Sequence, residues 1–303
     1  MPVYAVIDVG TNSVKFHIGE RRADGSWTTL LDRAVVTRLG EGIAETGEIA
    51  PAAIERTVGA IAAMATEAQR HHAAALVAVG TMGMRNAGNA ADFIATVRER
   101  TGVTIEVIPG EEEALLAYRG AVAGLTLGNG RRVVFDTGGG STQFTFGHGA
   151  QIDEQFSLNT GAVRVTAQLK LDGPVGRERL DEALGAIAAE FGRLDGVASP
   201  QALVGMGGAI TNMTAVMLGL AIYDSEAVQG AVLSRAEVDR QIELYRNRDA
   251  EARRGIVGLQ PRRAEVILAG ACVVHTVMDK LGKDDLTVSD RGLRHGVLLE
   301  RFG

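Results

Sequence analysis

Three glycine-rich turns, Gly10-Thr11-Asn12-Ser13, Gly138-Gly139-Gly140-Ser141-Thr142 and Gly205-Met206-Gly207-Gly208-Ala209, each follow an apolar run. Turns of this kind present backbone N–H groups that can cradle a phosphate. An aspartate precedes two of them, Asp8 and Asp136, at the tip of its run. Such a carboxylate has two readings. It caps its own turn through N–H bonds, or the two acids together hold a hard cation, directly or through water, that neutralises phosphate oxygens. Their symmetric recurrence favours the cation. There is no GxxxxGK[ST] stretch and no GxGxxG after a strand, which excludes a P-loop mechanism and a dinucleotide fingerprint.

The elements that must position these turns read as α/β. "VYAVIDVG", "VKFHIGER" and "TTLLDRAVVTRL" form a meander of three strands, with an Asp-Gly turn between the second and third. From Pro51 the apolar positions Ile54, Val58, Ile61, Ala62 and Ala65 fall at helical spacing, and the helix ends near His71-His72. "ALVAVGT" reads as a buried strand, "NAADFIATVRERTG" as a helix and "TIEVIPG" as a strand, so the first half is βββαβαβα. Parallel strands covered by helices place ligands beyond their carboxyl ends.

The chain carries its own copy of the opening. Val6-Ile7-Asp8-Val9-Gly10-Thr11 is matched by Val134-Phe135-Asp136-Thr137-Gly138-Gly139, offset by 128 residues, and a strand re-emerges after each turn. A repeat this long implies two similar lobes facing each other across a cleft. The expected lobes are 1–123 and 124–303, parted within residues 123–132, with the C-terminal helix of about 293–303 free to pack back on the first. In the second lobe "QIDEQFSLN" reads as a strand, "TGAVRVTAQLK" as a helix, "QALVGMGGAITNM" as a strand-glycine-helix unit, and the stretch from Pro261 to Gly282 as one apolar helix.

Composition narrows the function classes. At 303 residues, 46% hydrophobic and 22% charged, the chain can bury a substantial core. A net charge of −6 argues against a protein that tracks a nucleic-acid polymer, so an anionic ligand needs a local cationic site. The single cysteine, Cys272, rules out an intrachain disulfide. No leader pattern and no apolar stretch of about 20 residues is present, so the expectation is a cytoplasmic protein without a membrane partner.

"VIDVGTNS", "GTMGMR", "IPGEEEALLAYRGA", "VFDTGGGST", "TGAVR", "GMGGAIT", "RRAEVILAGA" and "SDRGLRHGVL" occur in the order of the motifs of the exopolyphosphatase and guanosine-pentaphosphate phosphohydrolase family, which the chain resembles from residue 3 to about 300. The resemblance implies the ribonuclease H-like lobes of the actin, sugar-kinase and heat-shock ATPase superfold. It implies release of terminal orthophosphate from inorganic polyphosphate or pppGpp. Glu113, third in the run Glu111-Glu112-Glu113, matches the general base, and Arg85 the arginine on the terminal phosphate. A run of glutamates in a first helical turn is otherwise explained by the helix dipole, and an arginine beyond a strand end by the surface. With Mg²⁺ or another divalent cation near Asp8 and Asp136, water attacks in line. Arg164, Arg263 and Arg294 are candidates for a polyanion path, although each can equally pair with an acidic neighbour. The resemblance also implies a homodimer. Longer relatives add a helical region, so ending at Gly303 suggests a preference for short chains or nucleotides. An ATP-dependent phosphotransferase of the same superfold and a non-catalytic regulator binding pppGpp or polyphosphate are the rival readings.

Overall fold

A computed structural model describes residues 1–149 and 151–303. The chain divides into two compact units, residues 1–120 with 292–303, and residues 121–291.

The first unit opens with β1 (Val3–Val9), β2 (Ser13–Arg21) and β3 (Trp27–Val36), then α1 (Ile43–Thr46), α2 (Pro51–Arg70), β4 (Ala75–Gly80), α3 (Met82–Arg85), α4 (Ala90–Thr101), β5 (Ile105–Val107) and α5 (Gly110–Val122). The sheet order is β3-β2-β1-β4-β5, antiparallel among the first three strands and parallel from β1 to β5. As the central strand, β1 is apolar on both faces. Ala5, Ile7 and Val9 join the core under α2 and α4, with Phe16, Val58, Ile61, Met64 and Phe93. Val6 points the other way, into a smaller cluster with Val79, Ile108 and Leu116. Period-two alternation thus serves two hydrophobic layers at once.

The second unit comprises β6 (Arg131–Thr137), β7 (Thr142–His148), β8 (Gln151–Leu158), α6 (Ala162–Leu169), α7 (Arg177–Glu190), β9 (Ala202–Met206), α8 (Gly208–Leu218), α9 (Ser225–Val228), β10 (Val232–Ser234), α10 (Arg235–Arg246), α11 (Ala250–Arg254), α12 (Ile267–Lys280) and β11 (Asp285–Val288). Its sheet runs β10-β11-β9-β6-β7-β8. Read as β8-β7-β6-β9-β11, it repeats the first sheet strand for strand, with the same parallel and antiparallel senses. The register repeats too. Asp8 opposes Lys15 and Val9 opposes Val14, just as Asp136 opposes Gln143 and Thr137 opposes Thr142. These two matching sheets are the duplicated α/β unit expected from the sequence.

The core of the second unit gathers around α12, which is buried from Ile267 to Val274 and packs against α6, α7, α8 and α10. A helix covered on all sides reads as apolar all round rather than striped. It begins at Ile267 rather than at Pro261. Residues Pro261–Arg263 form a separate 3-10 turn, because the Arg263 N–H donates to Gln260 and the Val266 N–H to Arg263, which interrupts the i to i−4 ladder. Phe144 stacks on Phe156 and meets Phe191 edge-on, filling the space beside β7. The last helix, α13 (Leu293–Phe302), belongs to the first unit.

Candidate active site

The two repeated turns share one hydrogen-bond plan. Gly10 N–H donates to Ser13 O at 3.1 Å, and Gly138 N–H to Ser141 O at 2.9 Å. Their carbonyls are taken up internally. Thr11 O accepts from Gly40, Asn12 O from Thr37 and Arg38, Gly138 O from Ala162, and Gly139 O from Val163 and Arg164. The N–H groups of Thr11, Asn12, Gly139 and Gly140 meet no acceptor among the described residues. Turns with acceptors satisfied and donors open have the polarity an anion requires.

The third glycine turn leads into α8. Gly207 has φ +95°, and a Cβ there would overlap the Asp136 carboxylate and lie 2.7 Å from Thr137 O. A Cβ on Gly208 would overlap the guanidinium of Arg263. These clashes explain the Gly-Gly pair, since only bare backbone fits between Asp136 and Arg263. Among the described residues, Arg263 Nε is buried without a hydrogen-bond partner, as is the Thr137 hydroxyl. Burial holds the Arg263 guanidinium below its ordinary pKa, with Arg262 adding to the effect and Asp136 opposing it. Ala209 follows as the second residue of α8 and is buried.

Asp8 is 4% exposed. Lys15, its cross-strand neighbour, places Nζ 3.7 Å from the carboxylate. The alternation of residues around a four-residue turn would have revealed this lysine in the sequence, where it passed unnoticed. At the equivalent place the second unit has the neutral Gln143.

Arg85 and Glu113, predicted from separate motifs, are brought together. Arg85 closes the single turn of α3 beyond β4, and its Nη2 lies 2.9 Å from Glu113 Oε2. Its Nη1 donates to Ile108 O at 2.8 Å. Glu113 lies in the first turn of α5, where its N–H donates to Pro109 O at 2.9 Å. Their side chains are 27% and 30% exposed, open enough to meet a solute and enclosed enough to hold one geometry. Thr11 supports α3, since both Gly40 and Gly83 lie directly against its side chain.

The remaining arginines differ from one another. Arg164 is exposed on α6, directly after the second turn, and makes no ion pair among the described residues. Arg294 is engaged by Asp32, with Nη2 2.9 Å from Oδ1 and its side chain 13% exposed. Among the described residues, one group of three ligating side chains comes together, His17, Asp32 and His295. No helix among them is long and apolar enough to cross a membrane.

The profile of the Ppx/GppA phosphatase family matches residues 20–303, and the protein belongs to this family. It is 31% identical to exopolyphosphatase 2 of Mycobacterium tuberculosis, over 99% of this chain and 98% of that protein. It is 30% identical to the guanosine-5'-triphosphate,3'-diphosphate pyrophosphatase of Photobacterium profundum, over 99% of this chain and 59% of that one. The crystal structure of the type II variant of the Aquifex aeolicus Ppx/GppA phosphatase superposes with a TM-score of 0.90, at 31% identity and with both chains fully covered.

Proposed function

We propose that the protein is a phosphoanhydride hydrolase that releases terminal orthophosphate from inorganic polyphosphate, from pppGpp, or from both. The observation that carries this reading is the Arg85–Glu113 pair. It sets a carboxylate able to take a proton from water beside a cation suited to phosphoryl oxygens. A guanidinium has five N–H groups; one on Arg85 donates to Ile108 O, and the Nη2 end lies against the Glu113 carboxylate. Donors are left over for phosphate, so one side chain can hold both the base and the group under attack.

In this mechanism water adds to the terminal phosphorus as Glu113 removes its proton. The bond to the bridging oxygen breaks, and the shortened chain leaves with that oxygen's electron pair. The open N–H groups at Thr11, Asn12, Gly139 and Gly140 receive phosphoryl oxygens, and Arg263 adds positive charge at the third turn. Asp8, with Lys15 Nζ at 3.7 Å, and Asp136 each offer hard carboxylate oxygens of the kind Mg²⁺ accepts, and a divalent cation held by either would supply charge neutralisation. The protein is proposed to act in the cytoplasm as a homodimer. Orthophosphate release from short polyphosphate, long polyphosphate, pppGpp and ATP, with and without Mg²⁺, tests the reading. Activity is expected on at least one of the first three. Inertness of all three, or release from ATP that depends on an added acceptor, rejects it.

A further inference from the structure

The Asp32 carboxylate, on β3, is approached by three side chains. His17 Nδ1 lies at 2.9 Å and His295 Nε2 at 3.3 Å. Arg294 grips both oxygens, Nε at 3.1 and 3.0 Å and Nη2 at 2.9 Å. The two imidazole rings sit 4.4 Å apart. Gly292 N–H donates to His295 Nδ1 at 3.2 Å, which fixes the proton of the neutral ring on Nε2, facing Asp32. Although the ligating atoms of His17, Asp32 and His295 lie within 4.8 Å of one another, this is a poor metal site. The imidazole nitrogen that would bind the metal carries a proton, and a guanidinium already neutralises the carboxylate.

The network holds α13 by its first turn. On the other side of that turn lies α5. A Cβ on Gly296 would overlap the Leu116 carbonyl, and one on Gly120 would overlap that of Gly292. The two helices therefore approach backbone to backbone at these two glycines, and beside them Leu116 packs in one buried cluster with Leu293, Val297 and Leu298. Arg301 reaches Glu106 at 2.7 Å and Glu112 at 3.6 Å, and Arg119 reaches Glu300 at 2.8 Å. Close-packed elements pass displacement on rather than absorb it. We infer that Asp32 is a positioning residue for Glu113, because its grip on Arg294 and His295 fixes α13, and α13 fixes the seat of α5 beside Arg85. The inference rests on Glu113 being the general base.

The test uses the full chain with tripolyphosphate and compares wild type, Glu113→Gln, Asp32→Asn, Arg294→Gln and Arg294→Lys. It reads kcat and KM together with amide hydrogen exchange. Both Asp32→Asn and Arg294→Gln are expected to lower kcat about 10- to 100-fold, as small misplacements of a reacting group do. KM should stay within about twofold, because binding contacts are untouched. Exchange should rise across 110–122 and remain at the wild-type level across 51–70, and Arg294→Lys should recover part of kcat. If Asp32→Asn fails to fold, the Arg294 pair carries the test. Unchanged exchange across 110–122 overturns the inference, and so does faster exchange with wild-type kcat, which would make the network a staple and nothing more. A KM that rises with polyphosphate length while kcat holds would instead make Arg294 a substrate contact, and also overturns it. Wild-type rates in Glu113→Gln would remove the base itself, an outcome separable because exchange in the Asp32 variant is measured independently of turnover.

Discussion

Arg85 reaches Glu113 and the Ile108 carbonyl at the same time, through different nitrogens of one guanidinium. The arrangement demands a planar fork. A lysine has a single point of charge and cannot span both partners while still presenting donors to phosphate. Arg85→Lys is therefore expected to lower kcat/KM for the best substrate by about 100-fold or more, as loss of a preorganised donor does. Steady-state kinetics check this, with circular dichroism to confirm the fold.

Glu113→Gln keeps the shape of the side chain and removes the carboxylate proposed to accept the proton. The rate should fall by about 10²- to 10⁴-fold, with little change in thermal stability. A stopped assay for orthophosphate decides the outcome.

The neighbouring glycines of the third turn should respond differently to alanine. In Gly208→Ala the atoms nearest the new methyl are those of the Arg263 guanidinium, the far end of a long side chain, so the protein should fold with that group displaced and lose affinity for orthophosphate and tripolyphosphate. In Gly207→Ala the methyl meets Thr137 backbone at a φ of +95°, and stability should fall by about 1–3 kcal/mol. Calorimetric titration and urea denaturation separate the two effects.

Acid should weaken the first unit in two stages. Burial pushes the His295 imidazole down to about 3, with Arg294 and His17 adding to the shift and Asp32 opposing it. The unfolded chain therefore binds a proton below about pH 6.5 that the folded chain refuses until about pH 3, and stability falls by up to about 1.4 kcal/mol per pH unit between them. Asp32 resists burial because His17, His295 and Arg294 hold its carboxyl well below the ordinary range. Its contribution is present above the unfolded carboxylate value of about 4 and is lost on further acidification. Melting temperatures from pH 8 to pH 3 should show this slope, and His295→Gln should flatten it between pH 6.5 and 4.

Arg253 is fully buried, and its guanidinium donates to the backbone carbonyls of Leu171, Asp172, Gly173, Tyr245 and Ala264. It ties three segments of the second unit together through the carbonyl adjoining Arg263. Arg253→Met should cost more than about 3 kcal/mol, as measured by chemical denaturation, and Arg253→Lys should recover only a minor part.

The parts of the fold that showed in the sequence are those written locally. Val6 to Thr11 and Val134 to Gly139 match because each strand must be apolar and each turn must leave bare backbone at one place, and the register pairs around Asp8 and Asp136 follow from that. Arg85 and Glu113 came from motifs, and their contact needed β4 and β5 to be neighbours. Partners far apart in the chain were invisible. Nothing near Arg294 points to Asp32, because the pairing depends on α13 belonging to the first unit. The helices α7, α10 and α11 were not foreseen. For α10 a local signal existed, since Ser234 caps the Glu237 N–H at 3.2 Å in an S-x-x-E pattern.

The return of α13 also sets an order of events on the ribosome. Domains generally fold as units in the order of their synthesis. Here residues 121–291 form one unbroken stretch, whereas the first unit lacks its final helix until residues 292–303 have emerged. Residues 121–291 can thus complete their unit before residues 292–303 are available, and the helix bearing Glu113 waits for a partner encoded beyond the second unit. Nascent chains arrested so that residue 291 but not residue 303 has left the exit tunnel should show protease resistance in the second unit while α5 is still cleaved.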